Sequence, residues 1–463
     1  MERDRRRQPR GRQFRIQPRH QPPLLEGTVM LPDLENAVVR KVTRRLVPLL
    51  FAIYFVNFLD RVNIGFAALQ MNDELGLKPA MYGLAASIFY AGYILFEIPS
   101  NLLLQRFGGR TWLARIIVTW GVISIAQAAI SSPHHLYGVR FLLGIAEAGF
   151  FPGLIYYLTC WYPQAHRAKA IGKVYSANTI AVIVGAPLSG LLMSSMHGLG
   201  GLSGWKWMFI VEGIPAVVLG IAAFLYLTDA PAKAAWLSDA ERTWLTEKMK
   251  REDRAAASLG TSELLPALTS PIVWLLGLLY FSLGIGFNGI TMWLPQLIKQ
   301  LSGLSIAAIG LVSAIPFVVG TAAMLVNGKH SDKTRERRWH LAIPLAVGAI
   351  GMVASAAAWS NPVVAFVFLC IATAGLMGGL SVFWSIPSAF LSGAAAAGGL
   401  ALVNTIGSAS GLSAPYLIGL IRDRTADFSA PIYFMASGIA VAAVLAAVLP
   451  FPDRFEPARA SVH

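Results

Sequence analysis

Residues 54–69 read YFVNFLDRVNIGFAAL, an apolar run broken by an aspartate next to an arginine. If Asp60 ended a membrane helix, the apolar part before it, Leu46 to Leu59, would supply 14 residues. At ~1.5 Å per residue that is about 21 Å, short of a hydrocarbon core of roughly 30 Å. Only by running on through IGFAAL does the helix span, and both charges then lie inside it. A charge at that depth costs several kcal/mol unless it faces a partner or a water-filled path, so such residues mark pathways.

The rest of the chain agrees with a membrane reading. Of 463 residues 55% are hydrophobic and 13% charged, with a mean hydropathy of +0.58, whereas soluble domains carry roughly 25% charged residues. Apolar runs of about 20 residues recur near 46–70, 81–104, 112–131, 136–160, 168–194 and 206–228. A second set follows near 271–299, 305–327, 339–359, 363–388, 394–421 and 430–450. The expected fold is an all-α integral membrane protein, with twelve transmembrane helices in two six-helix pseudo-symmetric halves. The domains expected are a basic N-terminal tail (1–45), a six-helix bundle (46–228), a linker (229–270), a second six-helix bundle (271–450) and a C-terminal tail (451–463).

Orientation is read from short loops, where Lys and Arg collect on the cytoplasmic side. Arg106, Arg110, Arg115, Arg167, Lys169, Lys173 and the run from Lys329 to Arg338 share a side with the N-terminus and the linker; SSPHH and HGLGGLSG, opposite, carry almost none. Arg422 and Arg424 are exceptions. Both termini are therefore expected in the cytoplasm of a cell whose plasma (inner) membrane holds the protein.

The net charge of +14 is concentrated at the start: residues 1–45 hold twelve Lys and Arg against five Asp and Glu. No aromatic-interleaved domain accompanies them, so no nucleic-acid partner is expected. The expectation is a disordered basic tail near anionic lipid. Met30 opens MLPDLENAVVRKVTRRL and is a second candidate start; no apolar core of a signal peptide precedes it. Cys160 and Cys370 sit in spans of opposite halves, which suggests neither a disulfide framework nor a metal cage. HExxH and GxSxG are absent, so catalytic residues, a metal and cofactors are not expected, nor is an enzyme.

The loop after the eighth span, NGKHSDKTRERR, carries Gly328, Asp332, Lys333, Arg337 and Arg338, a G-x-x-x-D-K-x-x-x-R-R pattern; NLLLQRFGGR stands at the equivalent place in the first half, with Arg106 and Arg110. A small residue there lets helices approach, and the acid and bases can pair across a gate. This plan resembles the major facilitator superfamily, whose halves rock about a central site. The first-half copy departs from it, with Asn101 where Gly is usual and Gln105 where Asp is usual. NFLDRVNIGFAALQMNDELGL, YILFEIPSNLLLQRFGGR, GIAEAGFFPGLIYYLTCWYP and GWKWMFIVEGIPAVVLG narrow the resemblance to the anion:cation symporter family, its tartrate-, phthalate- and sugar-acid-transporter-like members, over nearly the whole chain from about residue 36.

Within the first span Asn57 and Arg61 are one turn apart with Asp60 beside them, so the three can share an inward face. A guanidinium meets a carboxylate with two parallel hydrogen bonds, which makes Arg61 the first candidate for binding an anion, and the resemblance implies the same. In the fourth span Arg140 and Glu147 are about two turns apart and nearly on one face, with Gly144 and Ala148 between and beside them. A buried carboxylate responds to a nearby cation, so the protonation of Glu147 can follow whether Arg140 or substrate is close. The resemblance implies that Asp60 and Glu147 are the protonatable pair. It also points to Tyr93 as a cavity tyrosine and to Asn178, where sugar-acid transporters carry glutamine. Trp384 and Asn404 are the second-half candidates for substrate contact. Glu97 can reach the face of Tyr93 or be tied to Asn101.

Ser238 and Glu241 have capping-box spacing, and the linker reads as a short amphipathic helix on the cytoplasmic surface. The expected function is proton symport of a small organic carboxylate by a monomer in the lipid bilayer, taking the anion inward. An efflux antiporter is the alternative, since VGAPLSGLL half resembles the Gly-Pro-x-x-Gly-Gly signature; Ala186 and Leu191 depart from it. A receptor or intramembrane enzyme would need an added domain or a nucleophile-base set, which the sequence does not offer.

Overall fold

The computed structural model describes residues 27–257, 269–387, 393–425 and 427–450. The basic stretch before residue 27, the end of the linker and the tail at 451–463 fall outside the described residues. Regular structure among the described residues is entirely helical. The first half comprises α1 (Gly27–Leu75), α2 (Pro79–Phe107), α3 (Gly109–Ala126), α4 (Pro133–Glu147), α5 (Phe150–Thr159), α6 (Gln164–Ser195) and α7 (Gly204–Tyr226). The linker holds α8 (Asp239–Ala257); the second half holds α9 (Pro271–Ser302), α10 (Ile306–Thr334), α11 (Arg338–Ala357), α12 (Pro362–Phe383), α13 (Gly393–Asp423) and α14 (Ser429–Val448).

Eleven segments among the described residues are long and apolar enough to cross a membrane, α4 and α5 together making one crossing. The 31-residue α13 completes the twelve, packed along α9 and α2. Their outward faces carry residues such as Leu95, Ile98 and Leu225, exposed by 63, 72 and 73%. Such a continuous apolar surface suits lipid and would associate in water. Prolines inside α2, α6, α7, α9, α10, α11 and α13 are tolerated because neighbouring helices and local adjustments satisfy the freed carbonyls.

The segment 27–45, expected as tail, is instead the first part of α1. Its physical reason is legible in the spacing: Val38, Val42, Leu46 and Leu50 recur every four residues and are all buried, which lays one stripe of the helix against its neighbours. The capping box of the linker forms as spaced. Ser238 N donates to Glu241 Oε2 at 2.8 Å and Glu241 N to Ser238 Oγ at 3.3 Å, and α8 docks on the first half through Lys41 Nζ to Glu241 Oε2 at 2.6 Å and Gln164 N to Glu252 Oε2 at 2.9 Å. The Lys41 ammonium, chiefly, holds the Glu241 carboxyl below its ordinary range.

Lipid tails are as apolar as leucine, so helices in a membrane associate by close packing. At the crossing of α2 and α4 a Cβ on Gly144 would stand 2.0 Å from the Phe89 carbonyl oxygen, and one on Gly92 would stand 2.4 Å from that of Phe141. The two backbones touch because neither residue has a side chain.

The halves meet through α2 with α13, α6 with α10 and α1 with α9. Tyr82 O–H donates to the Met292 carbonyl at 2.8 Å, Ala80 N to Asp423 Oδ2 at 3.2 Å, Asn72 Nδ2 to Gln296 Oε1 at 3.3 Å, and Lys299 Nζ to the Leu69 carbonyl at 3.0 Å. A Cβ on Gly190 would come within 2.9 Å of Gly310 Cα. These contacts lie at the helix ends remote from α8. Nearer the middle, Tyr90 O–H donates to Asn288 Oδ1 at 3.0 Å; past that bond, toward α8, no hydrogen bond joins the halves among the described residues. Among the described residues, the hydrogen bonds between the halves thus gather toward the far side.

Candidate functional site

The charges at residues 60 and 61 sit about two thirds of the way along α1, facing different neighbours. Arg61 keeps 19% of its side chain exposed, which at this depth means contact with the space between the halves. Its Nε donates to Glu147 Oε2 at 3.1 Å, and Asn57 Nδ2 donates to the same oxygen at 2.9 Å. Glu147 is fully buried, and its Oε1 has no hydrogen-bond partner. The guanidinium carbon lies 5.0 Å from the Tyr93 ring centroid and 5.5 Å from that of Phe89, within the range of cation–π attraction. Arg61 is thus held by one carboxylate and two rings, with part of its surface open.

Asp60 does not share that face, which corrects the expectation from helical projection. Adjacent residues are about 100° apart on a helix, and here that turns Asp60 toward α3: Ser124 Oγ donates to Asp60 Oδ1, as does Asn63 Nδ2 at 3.3 Å. Arg140 and Glu147 are not a pair either. Glu147 is engaged by Arg61, while the buried Arg140 donates from Nε to the Ala85 carbonyl at 3.4 Å, lies 4.9 Å from the Phe89 centroid and has a partnerless Nη1. Phe89 lies within cation–π reach of both guanidinium groups.

The fourth span is itself broken just past Glu147. α4 ends at Glu147, Gly149 takes φ 80° and ψ 1°, and α5 begins at Phe150. A Cβ there would stand 2.6 Å from Ser100 Oγ, and the left-handed conformation costs an L-residue about 1–2 kcal/mol. Arg140 and Glu147 both lie within α4, so their spacing is as projected, and the partner is decided instead by α1, which brings Arg61 and Asn57 to Glu147. Pro152, which cannot donate a helical hydrogen bond, was the signal in GIAEAGFFPG for a new helix start.

The other candidates fall around this pair in unequal ways. Tyr93 is buried against Arg61 and Phe89. Glu97 is tied to Asn101 through its backbone carbonyl, which accepts Asn101 Nδ2 at 2.8 Å. Asn178 lies against Tyr54, whose ring packs on Phe151 at 5.7 Å and Tyr175 at 5.9 Å. Trp384, 36% exposed, caps α12 and meets the Tyr280 ring edge-on at 4.9 Å. Asn404 is half-buried on α13. Residues that sequence reading did not single out include Tyr54, Tyr90, Tyr280 and Asn288. Asn288 also donates to Ser410 Oγ at 3.1 Å, so Tyr90, Asn288 and Ser410 form a polar bridge from one half to the other. Gly411 makes room for it: a Cβ there would lie 2.5 Å from the Tyr90 ring.

The gate expectation is corrected too. Arg337 Nη2 meets Asp332 Oδ1 at 2.6 Å, so the acid and base of that motif pair within their own loop and do not reach across to the first half. Lys333 is exposed at the end of α10, and Arg106 lies over Phe107 at 5.7 Å. In the first half the acid missing at Gln105 is supplied from elsewhere. Asp229, just after α7, accepts the Arg110 amide at 3.0 Å beneath Gly108 at φ 85°, and Arg110 Nε donates to the Phe224 carbonyl at 2.5 Å. Each half therefore pins its loop with its own aspartate.

Two six-helix halves, one broken central span and matched loops are an arrangement that known proteins share. The profile of the Major Facilitator Superfamily matches residues 50–415. This chain belongs to that superfamily. A candidate tartrate transporter of Agrobacterium vitis is 44% identical over 91% of this chain and 96% of its own length. A quinolone resistance transporter of Acinetobacter baumannii is 41% identical over 87% of this chain and 93% of its own. Among solved structures, the xylose transporter XylE of Escherichia coli in a partially occluded inward-open conformation superposes with a TM-score of 0.71 at 15% identity, covering 87% of this chain and 97% of that one. This facilitator is accordingly a multi-pass membrane transporter of small molecules and not an enzyme. The tartrate relatives fall where the sequence resemblance pointed.

Proposed function

We propose that this transporter moves a small organic carboxylate together with protons, taking the anion up from the side remote from α8 and releasing it on the linker side. The observation that carries the reading is the Arg61–Glu147 pair, placed where Arg61 is partly exposed and Glu147 is not. An anion and Glu147 compete for one guanidinium. Protonating Glu147 removes its claim on Arg61 and leaves a cation ready for a carboxylate, which guanidinium binds with two parallel hydrogen bonds. Losing that proton restores the pair and expels the anion. Binding of anion and of proton thus favour each other by simple linkage.

The remaining residues take supporting roles in this reading. Tyr93, Asn178, Trp384 and Asn404 border the path the substrate takes, with aromatic faces for an unsaturated or ring-bearing acid and amides for hydroxyls. Asp60 and Arg140 set the charge around Glu147 from behind. Arg106, Arg110, Asp332, Lys333 and Arg337 act as loop latches on the linker side. That side lies in the cytoplasm, by the excess of Lys and Arg in its loops, of a bacterial inner membrane, and the monomer is the working unit.

The test is proton movement in proteoliposomes. Adding tartrate, phthalate or a sugar acid outside is expected to make the outer medium more alkaline in wild type, and Arg61→Gln and Glu147→Gln each abolish the change. A second reading draws on the quinolone resistance relative: efflux of a drug in exchange for protons. Drug loss driven by an opposing proton gradient, with no response to any carboxylate, would replace the first reading by the second.

A further inference from the structure

Behind the Arg61 cavity lies a buried polar cluster that the mechanism above leaves idle. Glu212, on the third turn of α7, is 2% exposed. Ser189 Oγ of α6 donates to its Oε1 at 2.7 Å, and its Oε2 has no partner. Asn63 of α1 lies against the same carboxyl and donates to Asp60 Oδ1 at 3.3 Å. Acceptors outnumber donors here. Asp60 Oδ2, Asn63 Oδ1, Glu212 Oε2 and, on the turn after α3 that packs on α7, Gln127 Oε1 are all buried without partners, against two idle donors, Gln127 Nε2 and, on the Asp60 side, Arg140 Nη1.

Charge makes the imbalance sharper. From α1 the titratable group facing Glu212 is Asp60, of like sign; α6 offers the Ser189 hydroxyl, and the turn after α3 offers the Gln127 amide. Arg140 and Arg61 act on Asp60, and Lys206, two turns away on α7, is paired with Glu74 at 2.9 Å. Two carboxylates joined through one amide, with a single hydroxyl for the inner one, leave an ionised Glu212 without a counter-charge in contact. A buried charge in that position is too costly to persist, and an orphaned buried acceptor costs about 1–3 kcal/mol. A proton on Glu212 Oε2 removes the charge and supplies the missing donor at once.

We propose that Glu212 is a proton-binding site of this carrier, separate from the substrate cavity and linked to Asp60 through Asn63. The inference rests on reading the protein as a proton-coupled carrier, and it places a third acid behind the two already assigned to protons. Its occupancy answers to the charge on Asp60, while the substrate meets only Arg61.

Infrared spectroscopy of the full-length protein in lipid, without substrate, tests it. At neutral pH the C=O stretch of a protonated, apolar carboxyl is expected in wild type and in Glu147→Gln, absent in Glu212→Gln, and shifted in Ser189→Ala, which removes one hydrogen bond and no acid. An unchanged band in both Glu212→Gln and Ser189→Ala overturns the proposal. So does loss of the band when sodium replaces potassium at constant pH, which would make the cluster a metal-cation site. Because no substrate is present, failure of the Arg61 reading leaves this spectrum unaffected, and failure here leaves carboxylate-driven proton uptake intact.

Discussion

The two halves share a fold and divide the chemistry. Buried in α1–α7 are Asp60, Arg140, Glu147 and Glu212, with Arg61 beside them; the buried polar side chains of the second half among the described residues are the hydroxyls of Ser282, Thr291, Ser313, Ser331, Ser355, Thr373 and Ser410. Hydroxyls in helices satisfy themselves on the preceding turn, as Thr291 does on the Phe287 carbonyl at 2.7 Å and Thr373 on that of Leu369 at 2.9 Å. Charges cannot, and each needs a partner from another helix. Helix packing thus survives in both halves while the buried charged side chains among the described residues are confined to the first, and the second supplies shape.

The widest gap between the halves is expected in transport itself. Arg61→Gln strands a buried Glu147, a kind of change that costs about 3–5 kcal/mol, and proton uptake with any carboxylate is expected to fall by at least a hundredfold in proteoliposomes. Asn404→Ala, in the second half, is expected to change apparent substrate affinity by less than tenfold under the same assay. Equal losses would break the division of labour.

Next in size is a packing contrast, read by thermal unfolding in detergent. Gly144→Ala forces the α2–α4 backbones apart, since its Cβ has 2.0 Å of room, whereas a Cβ on Gly378 would meet Pro344 Cβ at 3.5 Å, an ordinary contact. Overpacking costs about 1–3 kcal/mol, so Gly144→Ala is expected to lower the melting temperature by several degrees and Gly378→Ala hardly at all.

Smaller again is the bridge between the halves. Tyr90→Phe removes the donor to Asn288 and is expected to cost about 1 kcal/mol, seen as a severalfold rise in the linker-side accessibility of a cysteine placed at Asn404. The smallest effect lies on α8. Glu241 has a lowered carboxyl in the docked state, so its pair with Lys41 adds to docking above the ordinary carboxylate value and is lost as pH falls through the lowered one. A half-exposed pair of this kind contributes under about 1 kcal/mol, and Lys41→Ala is expected to flatten that acid limb in protease sensitivity of the linker without changing transport at neutral pH.

Much of this was legible in the sequence. Apolar runs located the twelve spans, and fourteen residues before Asp60 were too few to cross alone, which put Arg61 inside. What sequence could not give was pairing. Arg61 and Arg140 are each compatible with Glu147, and the choice is made by how α1 is placed against it, which no spacing within α4 encodes; the break at Gly149 was visible only as a glycine with Pro152 three residues on. Asp229 was hidden because it reaches the Arg110 loop from a different helix end, and Glu212 because an acid in GWKWMFIVEGIP shows its isolation only when α6 and α1 are packed around it. The early start of α1 was readable from Val38 and Val42, but composition drew attention to the basic residues around them.

The fourth span is therefore two rods meeting at a joint, and the joint lies two residues past Glu147. Arg61 rides on an uninterrupted rod, α1. A change in angle between Pro133–Glu147 and Phe150–Thr159 swings the carboxylate by a lever only a few ångströms long, and the guanidinium stays where it is. Short levers convert small rotations into the making or breaking of one contact, so a small change at this joint can make or break the Arg61–Glu147 pair without bending any other helix.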